Sequence, residues 1–400
     1  MGSSRYCILL TAVCSLLVTG AEAQESPGQR QLVNDGVVRL MAGSYESTDL
    51  RMAVDLANAL DDGYDLRVIP MVGKGSVRNV EDLLYLRGVD IAMVQSDVLD
   101  FYRRNDLISN IDGRLRYITK LSNEEVHVLA RAEFREIDDL AGRRVSFGLP
   151  ESGDFMTAGI LFDSLGVTVD VVTDPPERAI QLLKTGEIDA MVIVDGAPVD
   201  LIKDVGVDAE LTLLPLAPSR IGASYAPATL TSDEYPNLIK SYAPIETVAV
   251  SDVLAAYNWA EDNERGRPVN HFVERLFAHY EKLLGPSYHP KWRDVDLAEE
   301  LQGWQRLEAA DTAKAQVALA TVEYGEYLSL ECVACHRATD AAGAIPTIAA
   351  LPSQYFVNAL KSYRDGDRLN LVMQDVAFSL DEEQMQALAA YYQQLRENGQ

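Results

Sequence analysis

The sequence predicts two architectures in one chain: a two-lobed α/β body followed by an all-α segment. Three observations carry this. From residue 33 to about 250, short apolar runs alternate with helical patterns in two successive blocks. Beyond about Val253 every pattern has helical spacing. The only cysteines outside the first 23 residues, Cys332 and Cys335, fall in that helical part as a C-x-x-C-H run ending at His336. A length of 400 residues exceeds one ordinary domain and suits the division.

In the first block the strands are Val37 to Ala42, Leu66 to Val72 and Asp90 to Gln95, with helices from Thr48 to Leu60 and Ser76 to Leu86 between them. In the second block the strands are Val126 to Ala130, Arg144 to Phe147, Val169 to Val172 and Asp189 to Val194. This is the βαβ rhythm of a largely parallel sheet covered on both faces. Asn270 to Leu284 is an amphipathic helix, broken by the Gly285-Pro286 turn. Helices over Asp296 to Leu307, Thr321 to Leu330, Pro352 to Tyr363 and Glu382 to Arg396 follow, with an alanine-rich stretch from Ala309 to Ala320. Asp381 and Gln384 are spaced to form a capping box on the last helix. The expected domains are a leader over 1–23, an α/β body over 24–300, a helical linker over 301–320 and an all-α domain over 321–400.

The first residues have the pattern of an export leader. Arg5 precedes an apolar run from Ile8 to Val18, and Ala21-Glu22-Ala23 is a small-x-small cleavage site. The mature chain is then expected to start at Gln24 in the periplasm, and Cys7 and Cys14 leave with the leader. No later stretch has the length and apolarity of a membrane span. A formal charge of -26 argues against nucleic acid or an anionic membrane as partner. It fits a chain that meets small molecules or basic protein patches, and equally one whose acidity only keeps it soluble.

In an exported chain, two cysteines at this spacing are a disulfide, a redox pair or a haem anchor, and the histidine that follows selects the last. A c-type haem needs two thiols for thioether bonds and an imidazole on iron. C-x-x-C-H supplies all three from one helical turn. Zinc is disfavoured because no second cysteine pair completes four ligands. After His336 no histidine remains for the far side of the iron, only Met373 and Met385. Met385 shares an apolar helix face with Leu388 and Tyr392. Met373 is expected in a loop after Gly366, free to reach the iron, with core filling as its alternative role.

The segment from about Tyr324 to Leu395 resembles small class I cytochromes c of the bacterial c5, c553 and c4 type. The matching pieces are Gly325-Glu326-Tyr327 before C-x-x-C-H, Ile345-Pro346, Tyr355, the run Leu360 to Arg368, Val372-Met373 and Leu388 to Tyr392. The resemblance implies one covalent haem c on Cys332 and Cys335, with His336 and Met373 as axial ligands. It also implies that Pro346 shapes the histidine side of the pocket. Arg368 is either near a haem propionate or a solvated surface arginine.

Residues 33 to about 300 resemble the periplasmic solute receptors of the TAXI class of tripartite ATP-independent (TRAP) transporters. The resemblance rests on Gly43-Ser44-Tyr45, Gly75-Ser76 with Asn79, the run Gly88 to Asp97, the run Asp139 to Gly148, Ser152-Gly153, Gly186 to Ala190 and Gly196-Ala197-Pro198. It implies two lobes that close on a small ligand. Gly75-Ser76 and Ser152-Gly153 would present helix N-termini to an anion. Ser44, Tyr45, Gln95 and Ser96 would supply polar contacts. Glu151-Ser152-Gly153-Asp154 departs from the family, which has small uncharged residues there. Two acids at that turn would repel a carboxylate, and Asp97 and Asp195 lie at comparable strand ends. The cleft has then lost an acid ligand, takes a cation or amine, or is a docking surface.

Three functions follow as expectations: an electron carrier serving a periplasmic dehydrogenase, oxidase or other cytochrome; a solute receptor whose haem reports redox state; or a partner subunit that docks on a dehydrogenase. An enzyme is disfavoured, since His127, His271, His279 and His289 are scattered without metal-ligand spacing.

Overall fold

The first block folds around three parallel strands. β1 (Val37–Met41) lies between β2 (Arg67–Met71) and β3 (Ile91–Gln95). The crossovers are α1 (Thr48–Leu60) and α2 (Ser76–Tyr85), and α3 (Ser96–Arg104) leaves directly from β3. In α1 the Ser47 hydroxyl accepts the Leu50 N–H, which fixes the start, and Met52, Ala53, Leu56, Ala59 and Leu60 form its buried stripe. This computed structural model describes residues 36–206, 210–222, 224–260, 263–336, 345–349 and 351–398, so the expected leader lies outside the described residues.

Two long strands, β4 (Leu115–Arg131) and β10 (Ile245–Tyr257), join the blocks. The second block has β5 (Arg144–Ser146) between β6 (Asp170–Val172) and β7 (Ala190–Asp195). Its crossovers are α4 (Gly153–Leu165) and α5 (Pro176–Thr185). One sheet runs in the order β2-β1-β3-β10-β4-β7-β5-β6, with β8 (Leu211–Leu213) on β4 and β9 (Ala226–Leu230) on β10. Along β4 the partner changes from β10 to β7, and along β10 from β9 to β3. Each long strand therefore belongs to both lobes. Val126 to Ala130 is thus only the end of β4, and strands continue to Tyr257. Arg116, Lys120, Asn123 and Glu125 interrupt the apolar alternation of β4 and conceal its first half.

α6 (Gly266–Leu283) packs with α1 beneath the first three strands, around Leu56, Leu276 and Trp292. The helix expected over Asp296 to Leu307 does not form. There the backbone pairs with β4 instead: the Tyr117 N–H donates to the Gln305 carbonyl (3.2 Å) and the Leu307 N–H to the Tyr117 carbonyl (2.8 Å). α7 (Glu308–Cys332) then runs unbroken across the expected linker. Its first turns belong to the first lobe, since Ala310 and Ala313 are buried in that core. The same helix that packs on the α/β core also carries Cys332.

α8 (Ser353–Arg364), α9 (Leu371–Phe378) and α10 (Glu382–Glu397) complete the helical part. The Asp381–Gln384 capping box is formed in both directions, at 2.8 and 3.0 Å. α7 crosses α10 at Gly325, where a methyl group would collide with the Ala387 carbonyl. Phe356, Val357, Leu360, Met385, Leu388 and Tyr392 form this part's core. No helix among the described residues is long and apolar enough to cross a membrane.

Candidate functional site

The C-x-x-C-H run prolongs α7 by one turn. The Cys335 N–H (3.2 Å) and the His336 N–H (2.9 Å) both donate to the Cys332 carbonyl. Spacings of three and four put the two thiols and the imidazole on one side of that turn. Cys332 is half-buried against the helical core, and burial pushes its thiol up; Cys335 is exposed. The thiols are not joined to each other. His336 Nδ1 lies 2.7 Å from the Pro346 carbonyl oxygen. That oxygen can only accept, so Nδ1 carries the proton and Nε2 keeps a free lone pair.

Met373 lies inside α9 rather than in a loop. The Asn370 side chain accepts the Met373 N–H (3.1 Å) and starts the helix at Leu371. Met373 packs half-buried against the same apolar cluster as Cys332, whereas Met385 is fully buried in it. Arg368 donates to the Tyr355 hydroxyl (3.1 Å) and lies over the rings of Tyr355 and Tyr363. Leu369, Leu371, Val372, Leu330 and Ile345 stay exposed around this region. The donors fit a c-type haem: two unjoined thiols, an oriented imidazole with a free nitrogen, a half-buried thioether, and uncovered apolar surface.

The second site is the cleft between the lobes, a cavity of about 140 Å³. The N-termini of α2 and α4 meet at its mouth. Gly75 has φ +112°, and a methyl group there would sit 2.7 Å from the Ser152 Cα, so only glycine allows this approach. The Arg78 N–H donates to the Glu151 carbonyl (3.1 Å) across the junction. Ser44, Gly75, Ser76, Gln95, Ser152, Gly153, Asp154 and Asp195 line the cavity, as the residue pattern anticipates. Tyr45 does not: it precedes α1 and projects into solvent, 79% exposed. Ser96 does not either. As the first residue of α3 it opens onto a different hollow with Asp97 and Asp100. Asp97 is buried beneath that hollow, accepting from Thr157 and Tyr225 at 2.7 Å.

Sequence reasoning missed Asp49, Glu124 and Asp252. All three are buried where the long strands meet α1. The Gln95 amide donates to Glu124 (2.6 Å), and Asp49 is within hydrogen-bond reach of both Glu124 and Asp252. Asp195 accepts from the Thr48 N–H (3.1 Å) and Gly196 N–H (2.8 Å); Asp154 accepts from the Val194 N–H (2.7 Å). Burial first, then mutual repulsion, pushes Asp49 up to about 7, and likewise Asp154 to about 7. The same causes raise Glu124 and Asp252, and burial raises Asp195. Strict alternation from Leu115 puts Glu124 on the side of Arg116 and Lys120, and the irregular β4–β10 pairing breaks that parity, so no linear signal marks it.

Residues 40–271 match the NMT1-like family, a span that takes in both lobes and ends within α6. The chain belongs to the NMT1-like family. Its architecture is mixed α/β, with two lobes bridged by β4 and β10. Over 71 residues, 17% of its length, this NMT1-like chain is 41% identical to the thiosulfate dehydrogenase electron acceptor of Thiomonas intermedia (strain K12). It spans about a third (33%) of that relative. Among solved structures, the periplasmic binding protein BugD is 13% identical, with a TM-score of 0.44, covering 71% of this chain and 94% of its own. A TctC solute-binding protein from Polaromonas is 12% identical, with a TM-score of 0.36, covering 70% and 88%.

Proposed function

We propose that this NMT1-like chain is a periplasmic electron carrier, rather than an enzyme, in which residues from Tyr324 onward hold one covalent c-type haem and the α/β lobes bind a small ligand or dock a redox partner. When bound, the haem supplies a one-electron redox centre. Cys332 and Cys335 would anchor it through thioethers, and His336 Nε2 and the Met373 thioether would be its iron ligands. Pro346 acts through its carbonyl, holding the His336 tautomer that leaves Nε2 free. The single observation that carries the reading is this imidazole, oriented beside two unjoined thiols on one helical turn.

The partial likeness to a protein named an electron acceptor supports a redox role, and the partner class is a periplasmic dehydrogenase, oxidase or second cytochrome. The test is the exported protein in acidified organic solvent. Pigment that stays with the protein supports the reading; a colourless protein, or pigment that extracts freely, overturns it. In the oxidised form a weak charge-transfer band in the red should vanish in Met373→Ala.

A second reading is carried by the family match over 40–271: a solute receptor of a TRAP-type transport or sensing system, TAXI class, with the haem as redox reporter. Tryptophan fluorescence and the haem spectrum, followed together during ligand titration, separate the two. A ligand that shifts both favours the receptor; a haem spectrum blind to ligand favours the carrier.

A further inference from the structure

We propose that the inter-lobe cleft takes a small organic cation carrying a primary ammonium or guanidinium group. The proposal rests on the reading of the cleft as a ligand site. Seven carboxylates line the cavity: Asp49, Glu124, Asp154 and Asp195, with Glu46, Glu177 and Asp200 beside them. Asp252 stands behind them, 2% exposed, and neither of its oxygens has an N–H or O–H donor. Asp252 lies directly opposite Gln95 in the β10–β3 register. Residues paired across antiparallel strands point to the same face, and the Gln95 side chain lines the cavity. Asp252 therefore lies on the Gln95 face of the sheet, where the Asp49 carboxyl, another acid, is the side chain within its reach. A buried carboxylate without a donor is costly unless a proton or a cation meets it.

Among the described residues no basic side chain bonds Asp49, Glu124, Asp154, Asp195 or Asp252, although Lys74 also lines the cavity and Asp200, at its rim, pairs with Arg51. Lys291 holds Glu125 (2.7 Å), Arg51 holds Asp200 (2.7 Å) and Lys74 reaches Glu151 (3.5 Å). The positive end of α4 is met by its own side chains: the Ser152 hydroxyl accepts the Phe155 N–H, and Asp154 sits in the first turn; at α2, which has no acid in its first turn, the Arg78 N–H goes to the Glu151 carbonyl. An incoming carboxylate would find repulsion there. Among the described residues no three acidic, histidine or cysteine side chains converge as a metal site. Carboxylates spread around a cavity suit the several divergent N–H donors of an ammonium or guanidinium better than a point ion. A cavity near 140 Å³ matches a ligand of about benzene size.

Isothermal titration calorimetry of the full chain at pH 8 tests this with agmatine, butane-1,4-diamine and L-glutamate. Agmatine or the diamine should bind, at least tenfold more weakly in Glu124→Gln, and glutamate should give no heat. Asp195→Asn, at the cavity edge, is the second variant should Glu124→Gln unfold, as a circular dichroism melt would reveal. Glutamate binding without either amine overturns the cation assignment and leaves the ligand-site reading standing. No heat from any of the three overturns the ligand-site reading and the proposal with it.

Discussion

The cleft and the C-terminal turn hold their chemistry in opposite ways. In the cleft, ionisable groups are buried together, and each one's charge depends on its neighbours. At the C-terminal turn, neutral donors stand at the surface, oriented by a local backbone and one carbonyl. A buried cluster couples function to stability and pH, whereas an exposed turn confines the effect of a change to the haem proposed for it. The two sites should therefore be separable. The largest expected effect is His336→Ala, which should abolish the native haem spectrum yet leave cleft binding within twofold by calorimetry. A parallel loss of cleft binding would show that the regions act as one.

Next in size is the seam inside the helical part. Gly325→Val drives a branched side chain into the Ala387 carbonyl where α7 crosses α10. Overpacking of this kind costs about 3 kcal/mol. Since α7 is shared, limited proteolysis should cut the region after residue 320 while β1–β10 stay protected. Cleavage throughout the chain would mean that α7 transmits the damage into the α/β core through Ala310 and Ala313.

The pH dependence comes third. Asp49 and Asp154 have native pKa values raised from 3.8 to about 7. Between those limits the native state binds more protons than the unfolded one, so their contribution is full below about pH 4 and is lost as pH rises through 7. His127 opposes this. It is buried beside Tyr235, and burial pushes it down to about 4, so its contribution is lost as pH falls below 6.5. The acids outnumber it, and unliganded protein should lose on the order of 3 kcal/mol between pH 5 and 8. Urea melts of wild type and Asp49→Asn isolate the acid part: the variant should show a flatter profile. An equally steep profile would place the pH dependence elsewhere.

The contrast also explains what the sequence could reveal. The C-x-x-C-H turn was legible because its chemistry is contiguous: Cys332, Cys335 and His336 share one turn and need no tertiary contact to be recognised. Strands β3 and β7 were legible because burial on both faces makes them continuous apolar runs. The acid cluster was hidden because Asp49, Glu124 and Asp252 are brought together from three separate elements. Two of those are the long shared strands, whose polar residues resemble loop residues in a linear reading. Met373 was assigned to a loop because a one-residue cap, Asn370, decides where α9 starts. Tyr45 and Ser96 were assigned to the cleft by nearness in sequence, but which way each faces is set by the helix that follows it.

The smallest expected effect probes how the lobes meet. Gly75 combines a positive φ with the close approach of Ser152. Alanine there costs about 1–3 kcal/mol of backbone strain, and the clash with Ser152 adds to it where the two helix N-termini touch. Gly75→Ala should therefore weaken cleft binding about tenfold while the melting temperature moves by only a few degrees. The haem spectrum should be unchanged, because nothing in the C-terminal turn depends on lobe contact. If affinity holds while stability falls, the contact between the two turns belongs to the resting fold rather than to the liganded closure. The carboxylates would then meet their ligand in a cleft that is already shut.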